Sequence, residues 1–204
     1  MKQVFAILFF LSFFLSGYNQ AAAGNATAYR DQDFTQEYNE NYPVGATAEE
    51  NNIRSIAVDK MANVWIASAK GVWMKKEGER DWKPLPFSPA DEGPAYAVAV
   101  DDQSVVWMGT WNAVFSFRDG VLKKVPGTRG PVSLICNSRE GVYAIGPDGA
   151  WLFDGDRFVE KHFSISRSVR AAISDGQQGI WVASDVGLYH CNAQGTRYFQ
   201  KTDV

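Results

Sequence analysis

Ile53-Arg-Ser-Ile-Ala-Val-Asp59, Lys60-Met-Ala-Asn63, Val64-Trp-Ile-Ala-Ser-Ala-Lys70 and Gly71-Val-Trp-Met74 run on without a break. Three short apolar runs are separated by two turn signals. The first run ends in an Asp, whose side chain can accept backbone N–H bonds in a tight turn. The second is apolar at successive residues, as in a strand buried on both faces. The Gly before the third supplies a turn position that needs positive φ or close backbone approach.

The pattern returns three times. Val64-Trp65, Val106-Trp107, Val142-Tyr143 and Ile180-Trp181 align, 42, 36 and 38 residues apart. Six residues before each aromatic anchor stands Asp59, Asp101, Asn137 or Asp175; six after stands Gly71, Ala113, Gly149 or Gly187; eight after stands Trp73, Phe115, Trp151 or Tyr189. A fourth, more polar strand is expected after each copy: Asp81 to Phe87, Val121 to Val125, Arg157 to Phe163 and Arg197 to Lys201. Four strands per repeat of about 40 residues, joined by short turns, are the signature of a β-propeller blade. The fold class is therefore all-β, with four four-stranded blades over about 53–90, 91–127, 128–165 and 166–204. A helical apolar stripe is absent after the N-terminal apolar run.

Propellers have four to eight blades, so closure is an issue. Asp33 to Tyr38 alternates like an outer strand and would compete with Arg197 to Lys201 for one edge. A partial propeller, an arc with exposed edges, is expected over a closed four-blade ring. Such edges call for a partner chain or further sequence.

The 204 residues are 46% hydrophobic and 14% aromatic, with seven Trp and eighteen Gly, a composition that fills a core. The net charge of −3 and the lack of a basic patch exclude nucleic acid as a natural partner. Residues 1–23 read as a signal peptide: Lys2 is the positive region, Val4 to Leu15 the apolar run, and Ala21-Ala22-Ala23 the cleavage site. The run falls short of the roughly 20 residues of a membrane span. No Cys stands at a lipoprotein position, and no second apolar run reaches spanning length. The mature chain is expected to be periplasmic or secreted, with residues 24–52 a polar lead-in carrying one outer strand. Cys136 and Cys191 fall in different blades and read as small apolar core residues rather than a disulfide.

These repeats resemble the two-component regulator propeller family. Ser55-Ile-Ala-Val-Asp59, Val64-Trp-Ile-Ala-Ser68, Gly71-Val-Trp73, Val105-Val-Trp-Met-Gly-Thr110, Gly179-Ile-Trp-Val-Ala-Ser184 and Gly187-Leu-Tyr189 carry the likeness, and Phe34 to Tyr38 is similar to its lead-in strand. Copy three departs, with Tyr143 in place of Trp. The resemblance implies an extracytoplasmic sensor propeller of hybrid two-component systems, seven-bladed and placed before a histidine kinase. It implies as partners a carbohydrate or other small ligand and a sensor kinase, while the open arc calls for missing blades or a homo-oligomer. No kinase follows in this sequence, so the expectation is an isolated exported module for ligand sensing or protein interaction, or a fragment of a longer sensor. The alternative is an exported propeller lyase, similar to streptogramin-type lyases, which needs catalytic His and a divalent metal.

No catalytic set is evident, and neither a cofactor nor a metal is expected. His162 and His190, the only histidines, have no Cys, Asp or His at ligand spacing. The repeated Asp residues read as turn caps and the anchor Trp residues as blade-to-blade packing. The candidate ligand-binding residues come from geometry. Loops between the second and third strands of a blade lie on the face of the incoming loops, near the central channel. Here they present Lys70, Trp111 with Asn112, Asp148 and Asp185. Trp111 leads, because an aromatic in a loop has less packing reason to be there.

Overall fold

A computed structural model describes residues 41–87 and 92–200. The signal peptide, the strand expected at Asp33 to Tyr38 and most of the lead-in lie outside the described residues.

Four antiparallel sheets of four strands each follow one another along the chain. Blade one holds β1 (Ile53–Val58), β2 (Val64–Ser68), β3 (Gly71–Lys75) and β4 (Lys83–Pro84); blade two holds β5 (Ala95–Val100), β6 (Val106–Thr110), β7 (Val114–Arg118) and β8 (Val121–Val125). Blade three holds β9 (Leu134–Asn137), β10 (Val142–Gly146), β11 (Gly149–Phe153) and β12 (Phe158–Lys161); blade four holds β13 (Val169–Ser174), β14 (Gly179–Ser184), β15 (Leu188–Asn192) and β16 (Gly195–Phe199). β4 is short because Pro84 and Pro86 have no N–H to donate to a ladder. The second strands are buried on both faces, as their continuous apolar runs require.

The first strands lie side by side in the order β1, β5, β9, β13. Between them the sheets pack face to face through three apolar clusters. Trp65, Ala67 and Val72 of blade one meet Val98, Met108 and Phe115 of blade two. Trp107 and Val114 meet Ala144 and Trp151. Tyr143 and Ile145 meet Val182 and Tyr189. No cluster of the described residues joins blade four to blade one, and Ile56 of blade one and Ile173 of blade four are 66% and 68% exposed. The four blades form an arc of a β-propeller.

The spacing of six between Asp and Trp has a physical cause. In blades one and two one carboxylate oxygen caps the turn, and the other accepts the buried indole N–H six residues on. Asp59 Oδ1 accepts the N–H groups of Met61 and Asn63, both at 2.9 Å, and its Oδ2 accepts Trp65 Nε1–H at 3.1 Å. Asp101 does the same for Gln103, Val105 and Trp107, the last at 2.8 Å. A buried indole N–H needs such an acceptor.

Blades three and four depart from this lock. Asn137 does not open a turn. It ends β9, paired with Val142, and its Nδ2–H donates to Val100 O of blade two at 2.6 Å. The turn is one residue shorter, and Ser138 caps it by accepting Glu140 N–H at 3.2 Å. The Tyr143 hydroxyl donates to Glu140 instead. In blade four Asp175 still caps the turn at Gln177 and Gly179, but its Oδ2 bonds His190 Nε2 at 2.9 Å. The glycines that precede the third strands act in the two ways open to them. Gly71 has φ of 132°, whereas a Cβ on Gly187 would stand 2.7 Å from the Phe199 carbonyl oxygen.

Cys136 and Cys191 are free and buried in the cluster between blades three and four, where burial pushes both thiols up to about 11. Among the described residues no helix is long and apolar enough to cross a membrane.

Candidate functional site

The four loops between second and third strands each lean on the segment that leads into their own blade or the next. Trp111 N–H donates to Pro94 O at 3.2 Å, and Gly93 lies under its Cβ. Asp148 lies against Gly130. Asp185 N–H donates to Ser168 O at 3.2 Å, and its carboxylate accepts the Ser166 hydroxyl. Lys70 shares a depression of ≈ 710 Å³ with Glu50, Arg54, Trp73, Pro84 and Pro94.

Three of the first strands carry a β-bulge at their second residue. The register slips between Ile53 and Ser55, between Ala95 and Ala97, and between Val169 and Ala171. The extra residues are Arg54, Tyr96 and Arg170. A bulge leaves its extra residue outside the ladder and re-aims the side chain. Arg54 and Arg170 are exposed, and Tyr96 is half-buried.

At blades one and two the bulge residues and the loop residues converge. The Arg54 guanidinium lies 4.5 Å from the centre of the Tyr96 ring, and Tyr96 is 6.2 Å from Trp111, tilted at 41°. Trp111 is 51% exposed, unlike the anchor Trp65 and Trp107 at 5% and 3%. A guanidinium over an aromatic face, beside a second exposed ring, presents a cationic donor fork and flat apolar surface together. Such a surface suits a flat-faced ligand bearing oxygen acceptors.

Of the residues expected from sequence, Trp111 belongs to this cluster through Tyr96 and Pro94, and Lys70 lines the same depression as Arg54 and Pro94. Asn112 sits beside Trp111 in the turn, its N–H donated to Thr110 Oγ1 at 3.3 Å. Asp148 and Asp185 are held by the segments leading into blades three and four and make no described bond to the Trp111 cluster. Arg54 and Tyr96 were not among the expected residues. Their one signal is a large polar or aromatic side chain at the second position of an otherwise small and aliphatic run.

The histidines are engaged elsewhere. His190 stacks on Trp181 at 4.4 Å and 20° and holds Asp175, whose carboxyl that hydrogen bond keeps below the usual range. His162 lines a separate recess with Glu140, Tyr143 and Lys161. Among the described residues no group of three or more His, Cys, Asp or Glu is placed to hold a metal ion.

No family model matches the chain, and no curated protein matches it. Solved structures do. The extracellular domain of BT4673 from B. thetaiotaomicron, described as a one-component or hybrid two-component system, superposes with a TM-score of 0.62 at 17% identity, over 79% of this chain and 23% of that one. Virginiamycin B lyase from Staphylococcus aureus gives 0.63 at 12% identity, over 76% and 57%. The WD40 propeller domain of Doa1 gives 0.59 at 13%, over 73% and 55%. The chain thus spans about a quarter of the BT4673 domain and little more than half of the other two. At these identities the likeness is one of fold, and that fold is the β-propeller.

Proposed function

We propose that this chain is an exported, non-catalytic propeller module that recognises a small ligand or a partner protein on its loop face, as part of a sensing system. The observation that carries the reading is the Arg54–Tyr96–Trp111 cluster, built from two β-bulges and a loop, in which an indole stands half in solvent. The likeness to extracellular domains of two-component systems and the repeat signature in the sequence support the sensing context and a location outside the cytoplasm. The carbohydrate class is the first to test, because sugar rings offer flat apolar faces to an indole and hydroxyls to a guanidinium.

The propeller lyase is the weaker reading, because His190 is committed to Asp175 and Trp181 and the described residues offer no metal cluster.

The test is a glycan array followed by calorimetric titration, comparing the protein with its Trp111→Ala and Arg54→Ala variants. Binding of one glycan class, weakened at least tenfold in both variants, is expected. A glycan bound equally well by all three proteins would remove the stack from the function.

A further inference from the structure

Arg54 is held in place without the use of a hydrogen-bond donor. It is the extra residue of the β1 bulge, and its guanidinium lies 4.5 Å from the centre of the Tyr96 ring. Attraction of the cation to the ring face keeps it there. Among the described residues its side chain has neither an ion pair nor a hydrogen bond, so the N–H donors of its fork are unused. Other cations of the chain are paired: Lys124 with Glu92, Arg129 with Glu160 and Lys161 with Glu140. Acidic partners are not scarce, since 23 acidic side chains stand against 20 basic ones. An ordered fork kept clear of them suits an anion brought from outside.

The surroundings narrow the choice of anion. Arg54 and Lys70 line one depression of ≈ 710 Å³, and small-ligand sites run to about 300–1,000 Å³. The carboxylate on its wall, Glu50, accepts the Thr47 amide and hydroxyl at 2.9 and 3.0 Å. Those bonds first, and Lys70 last, hold the Glu50 carboxyl below its ordinary 4.5. The depression thus sets two cations against one committed carboxylate. The rest of its wall is mainly apolar, made by Trp73, Pro84 and Pro94. Trp73 donates its N–H to Ser68 Oγ at 3.2 Å and pairs with Pro84 across β3 and β4, so the indole meets the depression with its polar atom satisfied. A bare inorganic anion would use the cations and leave this wall wet. A ring that carries an oxyanion uses both.

We infer that the depression takes an acidic sugar, a uronate or a sulfated ring whose oxyanion sits on the Arg54 fork while the ring lies on the Trp73, Pro84 and Pro94 wall. The inference rests on the loop-face ligand site proposed above and adds selectivity for charge. A guanidinium offers an oxyanion two parallel N–H bonds, and contact with Tyr96 has already ordered the side chain. Lys70 adds a point charge on the same wall.

The test is calorimetric titration with oligogalacturonate and with its methyl ester, which keeps the rings and loses the charge. A sulfated galactose oligosaccharide without carboxylates is the third ligand, and preference between it and oligogalacturonate tells sulfate from carboxylate. One of the two acidic ligands is expected to bind about tenfold tighter than the ester, or more, and to weaken as salt rises, because the charges are exposed. Arg54→Gln, checked for folding by circular dichroism, is expected to bind acid and ester alike, and Lys70→Gln to show a smaller loss. Ester and acidic ligands bound equally by the parent, without regard to salt, would overturn the charge selectivity and leave a neutral-sugar site standing. Binding of no sugar, acidic or neutral, would overturn both readings. Preference for the acidic ligand that persists in Arg54→Gln would overturn the assignment to the bulge.

Discussion

Replacing Asp101 by Ala removes one side chain and three hydrogen bonds. Two come from the turn amides of Gln103 and Val105 and one from the indole of Trp107, which is 3% exposed. The Gln103 amide faces water and finds a replacement there. The indole N–H stays buried beneath the Phe153 and Phe158 rings, 4.7 and 5.8 Å away, and loses its acceptor. An unsatisfied buried donor costs about 1–3 kcal/mol, and a turn amide contributes about 0.5–1.5 kcal/mol net. The sum is a loss of about 2–4 kcal/mol, a large share of the roughly 5–15 kcal/mol typical of a folded domain. The neighbouring Asp102 is the control. Its side chain is fully exposed and meets only Lys60 at 3.8 Å, so Asp102→Ala should change stability by less than about 0.5 kcal/mol. The assay is urea unfolding followed by circular dichroism, with Trp107→Phe as the second arm of a double-mutant cycle. Phe has no N–H, so the two substitutions should couple by about 1–2 kcal/mol. Additive losses, or an Asp101→Ala protein as stable as Asp102→Ala, would refute the idea that one carboxylate serves both turn and core.

A methyl at Gly187 would stand 2.6 Å from the Tyr198 ring and 2.7 Å from the Phe199 carbonyl oxygen, so Gly187→Ala should cost about 1–3 kcal/mol, read as a lowered melting temperature; no change would show that β16 is free to move away. The buried thiols should be inert: a disulfide reagent at about pH 8 is expected to leave Cys136 and Cys191 unlabelled in the folded protein and to label both in urea, whereas rapid labelling of the folded protein would place the interface of blades three and four in a loosened state. Acid should weaken the fold. Burial alone would raise the Asp59 carboxyl, but hydrogen bonds from Asn63 and Trp65 outweigh it and hold the group below its ordinary 3.8; Glu140 follows the same pattern below 4.5, burial raising it and Tyr143 and Lys161 lowering it. The unfolded chain then binds more protons in acid, so this stabilisation is full above the unfolded values and is lost as pH falls through the depressed folded ones. Urea midpoints should hold steady down to about pH 5 and decline below about pH 4; a midpoint that rises in acid would contradict the assignment.

Asp59, Trp65 and Gly71 were legible because their spacing recurs, and recurrence reflects one local hydrogen-bond scheme repeated in each blade. The scheme also explains the misreading of Asn137. A turn shorter by one residue moved the capping role to Ser138, and sequence spacing alone aligned the wrong residue. Trp181 shows a second limit. Its local pattern is that of a buried anchor, but burial of an anchor depends on a neighbouring blade, and among the described residues no blade packs on the Trp181 face. Half-exposed Trp181 therefore stacks on His190 instead of donating to Asp175. Arg54 and Tyr96 mark a third. A bulge is a mismatch between two paired strands, set by register with β2 and β6, and their contact spans 42 residues of sequence. Local propensity encodes neither.

The bulges also bear on stoichiometry. Four equivalent blades would offer four equivalent ligand sites, filled with one common affinity. β9 pairs with β10 without a slip, and among the described residues the exposed ring beside a bulged guanidinium–tyrosine pair occurs at blades one and two. Broken pseudosymmetry of this kind turns a repeating surface into a singular one, so a ligand taken up at the stack saturates at one molecule per chain.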